Sequence, residues 1–342
     1  MRIRSKRSAA LLAIIFLAVS SSGASSASLK TTQRKANNGD IQAQFELGRI
    51  YQYGTEGKPD YAEAMKWYKK AADKGHAGAI NNMGIMYEAG QGVPKNATRA
   101  IRLFRKSAEK GYAIAQCNLG NKYHYGDGVS QNYDEALKWY RQAAEQGYAS
   151  AENGLSDMYY YGQGVAQDYA EAFKWCKRAA EHGLTLAQSS LGSMYIAGTG
   201  TEKDYAEAKK WSLKAAEQND SQGQYNLGEL YYNGYGVSKD YGEALNWYVK
   251  AAEQEHPIAQ ASLGYMYFMG YGVPQNYTQA AKWSLKAAEH GHVQSQANMG
   301  LMYYQGYGVR QDNTEAVKWL RKAAEQGHKD AQNLLLELGQ TW

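Results

Sequence analysis

The sequence predicts an all-α protein, a right-handed α/α superhelical solenoid of eight 36-residue helix-turn-helix repeats with terminal caps. Three observations carry that prediction. The pair Leu47-Gly48 returns as Met83-Gly84, Leu119-Gly120, Leu191-Gly192, Leu227-Gly228, Leu263-Gly264 and Met299-Gly300 on a 36-residue spacing, with Leu155-Ser156 in the remaining place. Seven of the eight tryptophans, Trp67, Trp139, Trp175, Trp211, Trp247, Trp283 and Trp319, share one column, which Leu103 completes. An Asp or Asn opens the second half of every unit: Asp60, Asn96, Asn132, Asp168, Asp204, Asp240, Asn276 and Asp312.

Residues 1–27 read as a signal peptide. Arg2, Arg4, Lys6 and Arg7 precede an apolar run from Ala9 to Val19 and then small residues to Ser28. The run is too short to cross a bilayer, so export with cleavage near Ala27 is the expectation and an uncleaved anchor the alternative. Most of the formal net charge of +5 sits in this segment, leaving the rest of the chain close to neutral. That balance gives no electrostatic case for binding nucleic acid.

Residues 28–39 read as an N-terminal cap. Leu29 to Asn38 aligns with the tail of a repeating helix, but Thr31 stands where Trp would fall. Eight repeats then occupy residues 40–326 without insertion or deletion. In each, a first helix shows apolar residues four apart, as in Ala79, Met83 and Tyr87. Gly84 lies inside that helix at a cost of about 1 kcal/mol against Ala, so its recurrence implies the close approach of a second helix. The helix ends at a GxGV turn, as at Gly126, Gly162, Gly234, Gly270 and Gly306. A phosphate-binding loop would occur once and follow a strand, so that reading is set aside.

The second helix opens on the Asp or Asn as N-cap. Three residues on stand Glu63, Glu135, Glu171, Glu207, Glu243, Gln279 and Glu315, with Arg99 the exception, which predicts capping boxes. Carboxylates engaged at helix ends are poor candidates for general acid or base work. Gly75, Gly111, Gly147, Gly183, Asn219, Gly291 and Gly327 close the second helix; Glu255, followed by His256-Pro257, predicts a different junction there. Residues 327–342 begin a ninth first helix with Ala331 and Leu335 and stop at Gly339, a C-terminal capping helix.

The chemistry-bearing residues are sparse. His76, His256, His292 and His328 share a column in which Tyr112 and Tyr148 also occur, which reads as packing, so no metal site and no cofactor is expected. Cys117 and His124 are the one close Cys and His pair, about two helical turns apart with no third partner. Cys117 and Cys176 occupy different columns, so free thiols are expected, with a disulfide the alternative.

The consensus of these columns is A-x-x-x-L-G-x-x-Y-x-x-G-x-G-V-x-x-D-Y-x-E-A-x-x-W-Y-x-K-A-A-E-x-G. It resembles the Sel-one-like repeat (SLR) family, an α/α relative of tetratricopeptide repeats; Trp139-Tyr140 with Ala143-Ala144-Glu145-Gln146-Gly147 is a close match. The resemblance implies adaptor and scaffold roles, and for secreted bacterial members host interaction, virulence or envelope assembly. One cysteine-rich branch is associated with β-lactam binding and hydrolysis, but it carries a Cys pair in each repeat and this chain has two Cys in all.

Columns that vary are free for recognition. On the first helix these are the positions of Phe45, Arg49 and Gln52, which turn aromatic in the last three units: Tyr225, Glu229 and Tyr232, then Ala261, Tyr265 and Phe268, then Ala297, Leu301 and Tyr304. With first helices on the concave side, as the resemblance implies, Tyr225, Glu229, Tyr232, Tyr265, Phe268, Leu301 and Tyr304 form a candidate protein-binding strip. The alternative is that these rings cover seams between repeats. The expected function is a non-catalytic exported protein, periplasmic or secreted, that binds a protein or peptide there; an envelope scaffold, as for polysaccharide export, and a β-lactam-binding hydrolase are the alternatives.

Overall fold

The computed structural model describes residues 26–55 and 57–342. The signal peptide expected at 1–27 therefore lies outside the described residues except for Ser26 and Ala27, which begin the first helix. Among the described residues there are eighteen helices and no strand. The chain divides after Gln131 into two compact units. The first holds α1 (Ser26–Asn37), α2 (Ile41–Tyr53), α3 (Tyr61–Asp73), α4 (Ala77–Ala89), α5 (Ala97–Glu109) and α6 (Ala113–Tyr125). The second holds α7 (Tyr133–Glu145), α8 (Ala149–Tyr161), α9 (Tyr169–Glu181), α10 (Thr185–Ala197), α11 (Tyr205–Glu217), α12 (Ser221–Asn233), α13 (Tyr241–Glu253), α14 (Pro257–Met269), α15 (Tyr277–Glu289), α16 (Val293–Gln305), α17 (Asn313–Glu325) and α18 (Lys329–Glu337).

Within each unit consecutive helices pack on one another as an α/α solenoid. Even-numbered helices from α2 to α16 are the first helices of the repeats, and odd-numbered helices from α3 to α17 are the second.

All eight Asp and Asn N-caps form. Asp60 Oδ1, for example, accepts the Glu63 amide at 3.0 Å, and Asp312 Oδ1 accepts the amides of Thr314 and Glu315. The capping boxes are only half made. The amide of the cap residue is already donated to a tyrosine carbonyl in the last turn of the first helix, Asp60 to Tyr51 at 2.8 Å and Asp240 to Tyr231 at 3.0 Å. With that donor taken, the glutamates turn outward: Glu207 accepts from Lys210 at 2.7 Å and from Trp211 Nε1 at 2.9 Å. Arg99 therefore breaks no cap.

The glycine column is a set of close approaches. A Cβ on Gly228 would stand 2.5 Å from the Tyr248 ring, inside any real carbon contact. Tyr248 sits at 1% exposure among Ala244, Ala251, Ala259, Leu263 and Met266, so the second-helix ring fills the groove that the glycine leaves. Where Ser156 replaces glycine, its hydroxyl donates to the Ala172 carbonyl at 2.8 Å.

The junction at Glu255 is not different. Glu255 takes φ of 62°, the left-handed conformation of its glycine counterparts, and the His256 amide returns to the Ala251 carbonyl like every equivalent amide around it. Backbone geometry is kept and the residue bears the strain.

A buried glutamine ladder runs through both units and was not foreseen. Gln44, Gln116, Gln188, Gln260, Gln296 and Gln332 each donate their side-chain amide to an alanine carbonyl eight residues earlier, in the preceding helix. The oxygens of Gln188, Gln260 and Gln296 meet a donor of the next second helix, as in Gln218 to Gln188 at 2.8 Å and Gln326 to Gln296 at 2.7 Å, whereas that of Gln44 is buried without a partner among the described residues. In α8 the position is Glu152, which is fully buried; it meets His182 Nδ1 at 2.7 Å, and Arg178 donates to Ala144 O at 3.2 Å instead.

At the ends, Ala36 of α1 packs with Ala43, Leu47 and Trp67, and Ala331 and Leu335 of α18 close over Leu320, Ala323 and Ala324.

Candidate functional site

The first-helix face is more closed than the sequence implies. Its leading position is a seam: Asn81, Cys117, Ser189 and Ala297 are all buried, because first helices of successive repeats, such as α2 and α4 or α10 and α12, approach one another directly. In the first unit Gln52 and His124, at the third position, are buried too. Gln52 accepts the Tyr68 hydroxyl at 2.7 Å, and Asn82 donates to the same oxygen at 3.0 Å.

In the second unit that face opens into a cleft of about 250 Å³ whose lining includes Glu229, Tyr232, Tyr248, Ser262, Tyr265 and Asn298. Glu229 is half-buried and accepts the Tyr248 hydroxyl at 2.9 Å. Tyr225 stands behind it, stacked on His256 at 5.0 Å and close to Glu229. Burial, then the negative charge of Glu229, pushes the Tyr225 and Tyr248 hydroxyls well above the ordinary phenol range, so both remain donors. Burial pushes Tyr232 up to about 12, with neighbouring tyrosines and Glu229 adding to it.

Three of the seven strip residues, Glu229, Tyr232 and Tyr265, line this cleft. Tyr232 is also wedged among Tyr241, Tyr248 and Tyr271. Tyr265 is 45% exposed, with its edge toward Tyr271 at 6.0 Å. Phe268 is packing rather than surface, tilted on Tyr277 at 5.2 Å and set against Tyr307. Leu301 is exposed and Tyr304 half-buried, and neither lines the cleft. Tyr248, Ser262 and Asn298 were not singled out from sequence. Tyr248 belongs to a second-helix column that the glycine of the first helix packs against, filled by Tyr68 and Tyr140 but by Phe104, Cys176, Ser212, Ser284 and Leu320 in other repeats, and the two polar residues lie one turn before Tyr265 and Leu301 on their helices.

The tyrosines of the turns have a separate role. Tyr235, Tyr271 and Tyr307 stack on Tyr205, Tyr241 and Tyr277, which open the second helices before them, at 4.7, 4.8 and 5.0 Å. These pairs bind each turn to its neighbour.

The histidine column consists of N-caps. Nδ1 of His76, His256, His292 and His328 accepts the amide three residues on, and Nε2 of His76, His256 and His328 meets a glutamine of the preceding first helix. Asp40 and Asp220 cap the same column in other repeats. Both cysteines are free and buried, and burial pushes each thiol up to about 12. Neither forms the disulfide held open above, and neither thiol ionises at neutral pH to serve as a nucleophile. Among the described residues no group of three or more His, Cys, Asp or Glu could hold a metal ion, and no helix is long and apolar enough to cross a membrane.

Paired antiparallel helices, constant packing columns and a variable face define an α/α repeat protein of the kind that works by binding other proteins. The Sel1 repeat model matches eight consecutive segments, 41–76, 77–112, 113–148, 149–184, 185–220, 221–256, 257–292 and 293–328, and the chain belongs to that family. It is similar to a protective antigen present in uropathogenic Escherichia coli strains that displays an SLR fold, at 37% identity and a TM-score of 0.75, over 91% of this chain and 68% of that one. It is also similar to a Sel1 repeat protein from Oxalobacter formigenes, at 30% identity and a TM-score of 0.65, over 91% of this chain and 90% of that one. No protein with a curated description matches the chain.

Proposed function

We propose that the chain is a non-catalytic exported adaptor that engages a protein or peptide on the first-helix face of its second unit. The observation that carries this reading is the cleft itself, an aromatic and polar recess on a face where Tyr265, Leu301 and Ile258 remain exposed. Direct approach of successive first helices, α10 to α12 and α16 to α18, supports placing that face on the inner side of the stack, where a partner meets several repeats at once. Export is supported by the charged and apolar leader of residues 1–27 and by the similarity to a protective antigen of uropathogenic Escherichia coli.

The test is capture from envelope and host extracts by the purified protein, beside a variant carrying Tyr265→Ser and Leu301→Ser. Both residues are exposed, so circular dichroism should match the parent. A partner held by the parent and lost by the variant supports the reading. Equal capture by both moves the binding surface elsewhere, and stable recovery of envelope assembly proteins alone would favour the scaffold reading over host interaction.

A further inference from the structure

The carboxylate in the cleft has no structural need to be charged. A buried second-helix tyrosine hydroxyl requires only an acceptor, and in the first unit the neutral amide of Gln52 serves Tyr68 at 2.7 Å. At Tyr248 the acceptor is instead Glu229, half-buried, and no Lys or Arg among the described residues pairs with it. The surroundings are unbalanced in the same direction. Five successive first helices, α8, α10, α12, α14 and α16, contain Glu152, Asp157 and Glu229 and not one Lys or Arg. The basic residues of this unit's repeats lie on second helices and turns, such as Lys250, Lys282 and Lys286. His292, on the rim, is held below its ordinary pKa by burial and adds no opposing charge at neutral pH.

From this arrangement, and resting on the proposal that this face binds a partner, we infer that the Glu229 cleft takes a cationic side chain, lysine or arginine, presented by a peptide segment of that partner. Glu229 supplies the countercharge. The rings of Tyr232 and Tyr265 offer π surface to the cation and its alkyl stem, and Ser262 and Asn298 offer oxygen acceptors. Tyr248 donates to Glu229 from behind and fixes its orientation without neutralising it. A neutral or acidic side chain would leave the carboxylate partly desolvated with no compensation.

The probe is a capped pentapeptide with a single central lysine, against the same peptide with that lysine Nε-acetylated, titrated to millimolar concentration into isotopically labelled full-length protein. The expected result is a saturable shift of amides in α12, α14 and α16, weakened about fivefold by acetylation, by added salt and by Glu229→Gln. Glu229→Gln keeps an oxygen for Tyr248 and should fold; Tyr265→Leu, which keeps apolar cover and removes the π face, is the second variant and should weaken only the lysine peptide. Equal binding of lysine and acetyl-lysine peptides, or no shift in these helices, overturns the inference. The inference and the broader reading fail separately. If Glu229→Gln still captures the partner from extract while Tyr265→Ser with Leu301→Ser does not, the face binds without a cation.

Discussion

Arg178 takes over a hydrogen bond that Glu152 cannot make. Six repeat positions satisfy an alanine carbonyl with a glutamine amide, but Glu152 has no proton to give, and Arg178 from the following helix donates to the Ala144 carbonyl at 3.2 Å. The same guanidinium stands 3.0 Å from Glu152 Oε1, an ion pair without hydrogen-bond alignment. Two compensations, charge and donor, thus converge on one side chain.

Glu152→Gln should therefore restore the ladder and leave stability unchanged or slightly raised. Arg178→Ala should cost about 2 kcal/mol in the parent, because it strips a buried carboxylate and a backbone carbonyl together. In the Glu152→Gln background the same change should cost under about 1 kcal/mol. Urea denaturation of the four proteins measures the coupling, and additive losses would show that Arg178 acts elsewhere.

Glu255 holds a left-handed backbone with φ of 62° at a place where six equivalents are glycine. The conformation costs a side-chain residue about 1 kcal/mol more than glycine. Glu255→Gly is expected to raise stability by roughly that amount, read as a higher thermal midpoint, while Gly291→Glu should lower it comparably.

Acid should loosen the first helices. His76 and His292 are held below the ordinary histidine pKa by burial, and each Nδ1 must be unprotonated to accept its cap amide. The unfolded chain then binds protons more readily than the folded one, so the caps contribute fully above about pH 6.5 and that contribution is lost as pH falls through the lower folded values. The thermal midpoint should drop between pH 7.5 and 5, each cap being worth about 1 kcal/mol. Replacing His292 with Asp, the residue that caps α2 and α12, should flatten that profile near neutral pH; an unchanged slope would place the titration on other groups.

The features legible in the sequence are those that a repeat imposes on itself. An N-cap at Asp240 or a glycine beside Tyr248 is a demand met within one repeat and multiplied, the cap in all eight repeats and the glycine in seven, so columns reveal it. What escaped depends on the next unit. Gln188 looks like an ordinary polar helix residue until Gln218 of the following second helix is laid against it. Phe268 reads as open surface until Tyr307, from the next turn, covers its edge. The capping box failed for a related reason: Tyr231, nine residues earlier, claims the Asp240 amide before Glu243 can reach it. Glu229 was found by its variability, whereas the acceptor role that makes its charge notable required Tyr248 to be in place.

Cys117 and Cys176 should be silent to thiol reagents in the folded protein. Both are buried and both thiols are pushed up to about 12, so at pH 8 the thiolate fraction is negligible even where reagent could reach. A disulfide-exchange reagent should release no chromophore from native protein and two equivalents in guanidinium chloride. Rapid reaction of one thiol without denaturant would mean local opening of α6 or α9.

Gly228→Ala sets two effects against each other. In an isolated helix alanine gains about 1 kcal/mol over glycine. Here the new methyl would stand 2.5 Å from the Tyr248 ring, which is held among Ala244, Ala251, Leu263 and Met266. Overpacking of that kind costs about 1–3 kcal/mol and should outweigh the propensity gain. The net loss should also be felt at a distance, since displacing Tyr248 pulls its hydroxyl from Glu229 at 2.9 Å and frees the carboxylate to turn. Denaturation midpoints test the first effect and peptide titration the second. A variant as stable as the parent would mean that α12 and α13 separate easily, and the glycine column would then need another explanation.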